Sequence, residues 1–323
     1  MVGSLQRPKR TSHLLVFTCG LFLLPVLSPW IGLVARYVDL MVFVGIYSLA
    51  TIGLSLLMGY AGQISLGHAS FFGIGAYVSG VMTTKFGLNP WLCLSLGVAV
   101  SAIVALMIGA PSLKLRGHYL AMATLAFCII VTVIFNENGE WTGGPDGLAF
   151  IPGISIMGQP IDSIVKYYYL VWSLVLVMLL LSLNVINSRV GRALRSIHGS
   201  ELAASGVGVN VARYKVYVFV ISAMMASVGG SLYAHYLNFI NPTSFDLFVS
   251  IKLIIMIILG GMHSLWGAIV GTALITFLSY EWLHYFEEAE IMVYGVIILV
   301  IVIFLPHGVV SVPEKVRGLL TRG

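Results

Sequence analysis

The chain has little charge of either sign. Its 323 residues include 17 Lys and Arg and 12 Asp and Glu, together 9% of the sequence, whereas a soluble domain carries about 25% charged residues. Hydrophobic residues make up 59% of the chain, and its mean hydropathy is +1.00. Too few charges are left to coat a water-facing surface. The composition therefore predicts a membrane protein without a large aqueous domain.

Cysteine and the motifs of enzymes are scarce as well. Cys19, Cys93 and Cys128 all lie inside apolar runs, so we expect packing roles and no disulfide framework. The sequence contains no GxxxxGK[ST] and no HExxH motif. His284 lies near Glu287, but one histidine beside several glutamates is weak evidence for a metal site. We predict no enzymatic activity, no cofactor and no metal.

Long apolar runs are what the sequence does contain. They are about 17–24 residues long, which suits transmembrane helices and not the roughly 10-residue strands of a barrel. In hydrocarbon every backbone N–H and C=O must be paired within the protein. We predict an all-α membrane protein whose residues 1–323 form a single transmembrane domain. The predicted spans are 14–34, 38–58, 64–84, 91–113, 117–136, 166–187, 214–237, 247–262, 265–284 and 291–307.

Clusters of basic residues give these ten helices an orientation, because cytoplasmic loops are enriched in Lys and Arg. With ten helices, every cluster falls on the cytoplasmic side together with both termini, and the acidic segments fall outside. Two sets of five helices would be inverted relative to each other, as in many transporters. The clustering indicates membrane topology and not nucleic-acid binding. The basic residues are Arg7, Lys9, Arg10, Lys114, Arg116, Arg189, Arg192, Arg195, Arg213, Lys315, Arg317 and Arg322, and the acidic ones are Glu137, Glu140, Asp146, Glu287, Glu288 and Glu290.

Small residues recur at every fourth position in several predicted helices. Such spacing lets helix backbones approach closely in lipid. The pattern predicts a tightly packed bundle and says nothing about a solute. Three of these sets are Gly75, Ser79 and Thr83; Ala226, Gly230 and Ala234; and Gly267 and Gly271.

Residues 188–213 form the one substantial polar segment between apolar runs. The pattern predicts helix from Arg192 to Ala204 with a break at Gly199, and a second short helix that begins at Glu201 and is ended by Gly206 and Gly208. Ser200 can cap the second helix, and Glu201 suits its positive N-terminal end. Two hypotheses remain open: a cytoplasmic docking surface, or an interfacial loop that merely satisfies the positive-inside rule.

Ionisable residues are almost absent from the centres of the predicted helices. Lys252, His235 and Glu281 all lie near outer helix ends. Ion-coupled carriers usually keep such residues at mid-membrane, so this distribution argues against a proton or sodium carrier acting alone. That alternative stays open, because backbone carbonyls can bind sodium.

Several stretches resemble the signatures of branched-chain amino acid ABC importer permeases. They cover most of the chain, from about residue 40 to 310, and occur in the family's order. The second and third point to the LivM-type subunit over its LivH-type partner. The stretches are GYAGQISLGHASFFGIGAY (59–77), LKLRGHYLAMATLAF (113–127), WTGGPDGL (141–148), GRALRSIHGSELAASGVGVN (191–210) and LGGMHSLWGAIVGTALI (259–275).

The resemblance implies a type II ABC importer permease fold with about ten helices in the bacterial inner membrane. It implies a homologous LivH-type permease partner, two cytoplasmic ATP-binding subunits and a periplasmic amino-acid-binding protein. The implied solutes are branched-chain amino acids, with urea, short amides or aromatic acids as alternatives within the family. An ion-gradient-driven secondary transporter is the alternative from a different class.

The resemblance also implies where the ATPases act, namely in residues 188–213 as a cytoplasmic coupling segment. His198 and Gly199 replace an Arg followed by an acidic residue that is common in the family, which leaves the strength of coupling open. The implied coupling residues are Arg192, Arg195, Glu201, Ala203, Ala204 and Gly208.

A polar cluster opens the helix that we expect to begin at Gln63. Gln63, Ser65 and His68 lie together at its cytoplasmic end. Two hypotheses are open for them. They line or gate the translocation pathway, or they form interhelical hydrogen bonds and cap the helix.

Overall fold

The computed structural model describes residues 20, 25, 32–112, 118–156, 159–281, 290–304 and 308–309. Most of the predicted span 14–34 lies outside them, as do Lys114, Arg116, His284, Glu287 and Glu288, and both basic termini. The helices are α1 Gly32–Ser55, α2 His68–Phe86, α3 Pro90–Ser112, α4 His118–Glu137, α5 Gly139–Thr142, α6 Ile164–Asn187, α7 Arg189–Gly199, α8 Glu201–Gly206, α9 Val211–Leu237, α10 Leu247–Gly260, α11 Leu265–Glu281 and α12 Glu290–Phe304. The strands are β1 Leu148–Ala149, β2 Ser155–Ile156, β3 Gln159–Pro160 and β4 Phe239–Ile240.

The prediction of an all-helical membrane protein is confirmed. Five helices within the described residues are long and apolar enough to cross a bilayer: Tyr37–Tyr60, Pro90–Ser112, Tyr119–Glu137, Ile164–Asn187 and Val211–Leu237. The helices α10 and α11 pass the same test as a pair, which would bring the count to six. The strands are short antiparallel pairs, β1 with β4 and β2 with β3, in the connections.

The helices differ in how far they lie inside the bundle. The apolar window of α1 is 83% buried, against 28% for α3 and 33% for the window in α4. Helix α1 is therefore interior, whereas α3 and α4 present broad apolar faces outward. The interior helices approach closely, as the small-residue pattern predicted: a Cβ at Gly75 of α2 would meet the Ser227 backbone of α9, and one at Gly230 of α9 would meet the Phe72 carbonyl.

The connection between α1 and α2 corrects one boundary. A π-helix, Leu56–Tyr60, follows α1, and residues 61–67 are not helical, so α2 begins at His68 and not at Gln63. The chain turns at Gly62, whose φ is +67°. The amides of Gly62 and Gln63 donate to the carbonyls of Met58 and Leu57, both at 3.1 Å. These backward bonds close the π-helix and keep residues 61–67 out of the following helix.

The predicted spans 247–262 and 265–284 are one bent pair. Helix α10 ends at Gly260, the chain turns at Gly261 with φ +116°, and α11 leaves at 119° to α10. The 14 residues of α10 rise about 21 Å, which is less than the roughly 30 Å of a hydrocarbon core. The pair meets the length requirement only when both helices are taken together.

The connections gather at two ends of the bundle, which differ in charge. The end of the bundle that carries residues 61–67, 188–210 and 261–264 is called the basic end. The opposite end, which carries residues 138–163 and 238–246, is called the acidic end. The described charged residues at the basic end are Arg189, Arg192, Arg195, Glu201, Arg213 and Lys215. Those at the acidic end include Asp39, Lys85, Glu137, Glu140, Asp146, Asp162, Lys166 and Asp246.

Candidate functional site at the basic end

Two short helices form the polar segment, and their caps explain where they begin and end. The hydroxyl of Ser188 accepts from the Val190 amide at 3.1 Å at the start of α7, and that of Ser200 accepts from the Ala203 amide at 3.3 Å at the start of α8. Beyond α8, the chain turns at Gly208 with φ +84°. The predicted helix pair and its Ser200 cap are confirmed.

The implied coupling residues do not share one environment. Arg192 and Ala203 are exposed, whereas Ala204 lies on the buried face of α8. Arg195 is exposed but its Nη1 donates to the Ile186 carbonyl at 2.9 Å, at the end of α6. Arg192 and Ala203 are thus available to a partner, Arg195 also ties α7 to α6, and Ala204 packs inward.

Glu201 forms an ion pair with Lys215, a residue that the sequence did not single out. The Lys215 side chain is 1% exposed and the Glu201 side chain is 24% exposed. A buried ammonium without a partner is strongly unfavourable, so this pair holds α8 against the first turns of α9. The available signal was a lysine close to the start of a long apolar helix.

The outward face of this segment carries large apolar side chains. Leu202 is 70% exposed and Val207 is 80% exposed. In the sequence they are flanked by two exposed arginines, Arg192 before them and Arg213 after them. An exposed apolar pair with a basic border is typical of a surface that binds another protein.

The end of α7 contacts both irregular connections of the basic end. The ring of His198 meets that of His263 edge to face, with centroids 5.2 Å apart. A Cβ at Gly62 would lie 2.7 Å from Nδ1 of His198. Tyr60 donates its hydroxyl hydrogen to the His263 carbonyl at 2.8 Å. The two-helix segment, the turn after the π-helix and the α10–α11 turn therefore form one contact cluster, which the sequence did not reveal.

The predicted pathway residues lie just behind this cluster, and all are buried. His68 bridges two elements: its Nδ1 is 3.0 Å from Oγ of Ser65, and its Nε2 is 2.6 Å from Oγ of Ser222 in α9. Gln63 donates from Nε2 to the Ala61 carbonyl at 2.9 Å. The structure brings Ser65 and His68 together, whereas the hydrogen bond of Gln63 stays within its own connection.

Two other ionisable residues lie toward the acidic end, as the sequence indicated. Nε2 of His235 is 2.8 Å from Oγ of Ser79, and its Nδ1 is 2.7 Å from the Pro152 carbonyl. Lys252 donates to Oγ of Ser279 at 2.8 Å. Among the residues with described positions, no three or more His, Cys, Asp or Glu form a group that could hold a metal.

The sequence of the chain is similar to those of known membrane transport proteins. Residues 36–305 match the family described as the permease component of branched-chain amino acid transport systems. The high-affinity branched-chain amino acid transport system permease LivM of Salmonella typhimurium is 31% identical over 310 residues, which are 88% of this chain and 73% of that protein. LivM of Escherichia coli is 30% identical, over 91% and 74% of the two chains.

The LivH permease is a more distant relative. LivH of Salmonella typhimurium is 27% identical over 286 residues, which are 83% of this chain and 92% of that protein. The LivM-type resemblance is thereby confirmed. No solved structure matches the chain. With most of its length matched and its helical bundle in agreement, the chain belongs to the family of permease components of branched-chain amino acid transport systems.

Proposed function

We propose that the chain is one permease subunit of an ATP-driven importer for branched-chain amino acids. It forms half of the translocation pathway and receives its energy from cytoplasmic ATPases. The observation that carries the proposal is the exposed two-helix segment, with Leu202 and Val207 outward and His198 packed against two irregular connections. A surface that binds a partner is thus in direct contact with the helices that would move.

The proposed topology has ten membrane helices in two inverted halves of five, with the bent pair α10 and α11 counted as two of the ten. The alternation of helix ends supports it. Tyr60 and His263 meet at the basic end, and Ile151 and Asn238 meet at the acidic end. The basic end would face the cytoplasm with both termini, in a bacterial inner membrane.

The proposed assembly contains a LivH-type permease, two ATP-binding subunits and a periplasmic amino-acid-binding protein. The names of the relatives support the permease pair, because LivM and LivH both denote permease proteins of high-affinity branched-chain amino acid transport systems. The broad apolar faces of α3 and α4 would contact lipid or the second permease. The acidic end would receive the binding protein.

Within residues 188–213, we assign the ATPase contact to the surface that contains Arg192, Ala203 and Gly208. Arg195, Glu201 and Ala204 would set the position of that surface, since the first two bind other elements of the chain and the third is buried. Behind it, Gln63, Ser65 and His68 would control the inner end of the pathway. Their burial suits a closed gate and also suits interhelical support.

Reconstitution tests the proposal. The purified chain with its LivH-type partner and two ATPases, given leucine-loaded binding protein, should take up L-leucine in liposomes only with ATP inside the compartment that holds the ATPases. The chain alone should take up none. Uptake by the chain alone along a proton or sodium gradient would contradict the importer and support a secondary transporter. Competition by urea, amides or aromatic acids would identify a different solute within the same family.

A further inference from the structure

Phe150 combines two features that are each unfavourable. Its φ is +58°, a left-handed conformation that bulky residues rarely adopt. Its side chain is also 90% exposed. Among the non-glycine residues with described positions, only Asn238 has a similar φ, and asparagine tolerates it. Strained residues persist where the surrounding structure fixes them, and they concentrate at functional sites.

The loop around Phe150 is fixed by backbone hydrogen bonds. Leu148 pairs with Ile240 between β1 and β4. The Ile151 amide donates to the Asn238 carbonyl at 3.1 Å, and the Asn238 side chain donates back to the Ile151 carbonyl at 2.7 Å. The chain is held on both sides of Phe150. The exposure of its ring is therefore imposed by the fold.

The loop lies over the interior of the bundle. The side chains of Leu148 and Ile151 are buried and pack over Gly80 of α2, 3.3 and 3.1 Å from where its Cβ would lie. Phe150, between them, is turned away from these helix ends. Because the loop packs over the end of α2, an interior helix, we expect the Phe150 ring to face the aqueous side and not the lipid around the bundle.

Other exposed aromatics at the acidic end have a different setting. Phe86 stacks on Trp141 with ring centroids 6.2 Å apart, and Nζ of Lys85 lies 5.0 Å from the centroid of the Trp141 ring. An aromatic pair with a lysine is typical of the membrane–water interface. Among the residues that the structure describes, no ring or lysine packs against Phe150 in this way, so it differs from this interfacial pair.

The end of the bundle that carries Phe150 is rich in carboxylates. Gly153, three residues further along, lines a cavity of about 530 Å³ together with Asp39 and Asp162. Asp146, on the other side of Phe150, is exposed. An exposed apolar ring at an end rich in carboxylates complements a protein surface with an apolar socket and basic residues around it.

We propose that Phe150 is the anchor through which the acidic end binds the soluble solute-binding protein. This inference rests on the proposed function and specifies its outer docking site. The exposed aromatic ring fills a socket on the binding protein, and the carboxylates of the acidic end guide basic residues toward it. Because the backbone that carries the ring is held before binding, the loop loses little conformational freedom in the complex.

Substitution of Phe150 separates binding from folding. Phe150→Ala and Phe150→Gly should weaken binding of the leucine-loaded binding protein by about tenfold to a hundredfold, measured on the complete transporter in nanodiscs. Phe150→Gly should also raise the midpoint of thermal unfolding, because glycine adopts this φ without strain. Weaker binding by a more stable variant cannot come from unfolding. Phe86→Ala, at the same end, is the matched control and should change the Kd less than twofold. An unchanged Kd for Phe150→Gly would overturn the proposal.

A nitroxide label at Phe150→Cys, with the other cysteines replaced, tests the surroundings of this position directly. A water-soluble nickel chelate should reach the label in the transporter and lose access once binding protein is added. A label already shielded by lipid or by the second permease would overturn the inference. The uptake assay distinguishes failure of the proposed function from failure of the Phe150 anchor. A wild-type transporter without ATP-driven uptake contradicts the proposed function, whereas normal uptake with unaffected Phe150 variants contradicts only the anchor.

Discussion

Helices α2 and α9 are joined near both ends by a histidine–serine hydrogen bond, but the two bonds serve different ends of the bundle. At the basic end, His68 of α2 meets Ser222 of α9 at 2.6 Å. At the acidic end, Ser79 of α2 meets His235 of α9 at 2.8 Å. The same helix pair is thus joined twice by a histidine and a serine. The histidine belongs to α2 at the basic end and to α9 at the acidic end.

The second partner of each histidine differs. His68 continues to the hydroxyl of Ser65 in an irregular connection, whereas His235 continues to the Pro152 carbonyl in a loop held by β1–β4 pairing. A side-chain contact can change with one rotamer, but a paired backbone moves only when several hydrogen bonds break. We therefore expect the basic end to rearrange more readily than the acidic end.

The largest expected effect comes from reversing the charge of Glu201. Glu201→Arg should abolish uptake while the protein stays in the membrane, and should destabilise it by about 3 kcal/mol, because Lys215 loses its partner. Glu137→Arg, an exposed reversal at the acidic end, should leave uptake and stability nearly unchanged. Uptake in vesicles and thermal unfolding measure both.

A double variant separates pairing from coupling. Glu201→Gln with Lys215→Met removes both charges together, so most of the stability should return. We expect uptake to stay low if Glu201 also sets the position of the ATPase contact. Full recovery of uptake would show that Glu201 acts only as the partner of Lys215. Normal uptake by Glu201→Arg would remove it from the coupling segment altogether.

Alanine at the two histidines tests the comparison of the ends. His68→Ala and His235→Ala each leave buried hydrogen-bonding groups without a partner, and each should cost about 1–3 kcal/mol. We expect the ratio of leucine uptake to ATP hydrolysis to fall several-fold for His68→Ala and to change little for His235→Ala. Equal ratios in the two variants would break the proposed division between a rearranging end and a fixed end.

A smaller effect is expected at the cap of α8. Ser200→Ala removes the acceptor of the Ala203 amide and should destabilise α8 by about 1 kcal/mol. The expected consequence is weaker binding of the ATPases in a pull-down from detergent. Ser200→Asn, which can also cap, should bind as the wild type does. Weaker binding by Ser200→Asn as well would assign the hydroxyl itself to the interface.

The smallest expected effect lies at the acidic end and depends on pH. Burial raises the pKa of Asp246, against the opposing effect of the Val249 and Phe248 amides. A carboxyl whose pKa is raised on folding stabilises the fold while protonated and loses that contribution as the pH rises through its folded pKa. Asp246→Asn, which keeps a capping oxygen, should therefore raise the unfolding temperature at pH 7 and not at pH 4. An equal shift at both values would exclude this titration.

The sequence predicted those features that depend on composition or on residues close together in the chain. Low charge and long apolar runs predicted a helical membrane bundle, and the Ser200–Glu201 pair predicted the start of α8. Small residues at every fourth position predicted a tightly packed bundle, and the structure shows that α2 and α9 are one pair that approaches closely. The predicted start of α2 at Gln63 was wrong. The amides of Gly62 and Gln63 donate to carbonyls of the π-helix that follows α1, and the sequence pattern did not reveal this π-helix.

The sequence by itself thus determined the class of fold, the family and the place of the polar segment, since hydropathy, caps and motifs are properties of neighbouring residues. Only the tertiary structure decided that Glu201 pairs with Lys215, that His198 meets His263, and that Phe150 is held outward in a left-handed conformation. Such contacts join residues that helix packing brings together from distant parts of the chain. Tyr60 and the carbonyl of His263, for example, are 203 residues apart in sequence.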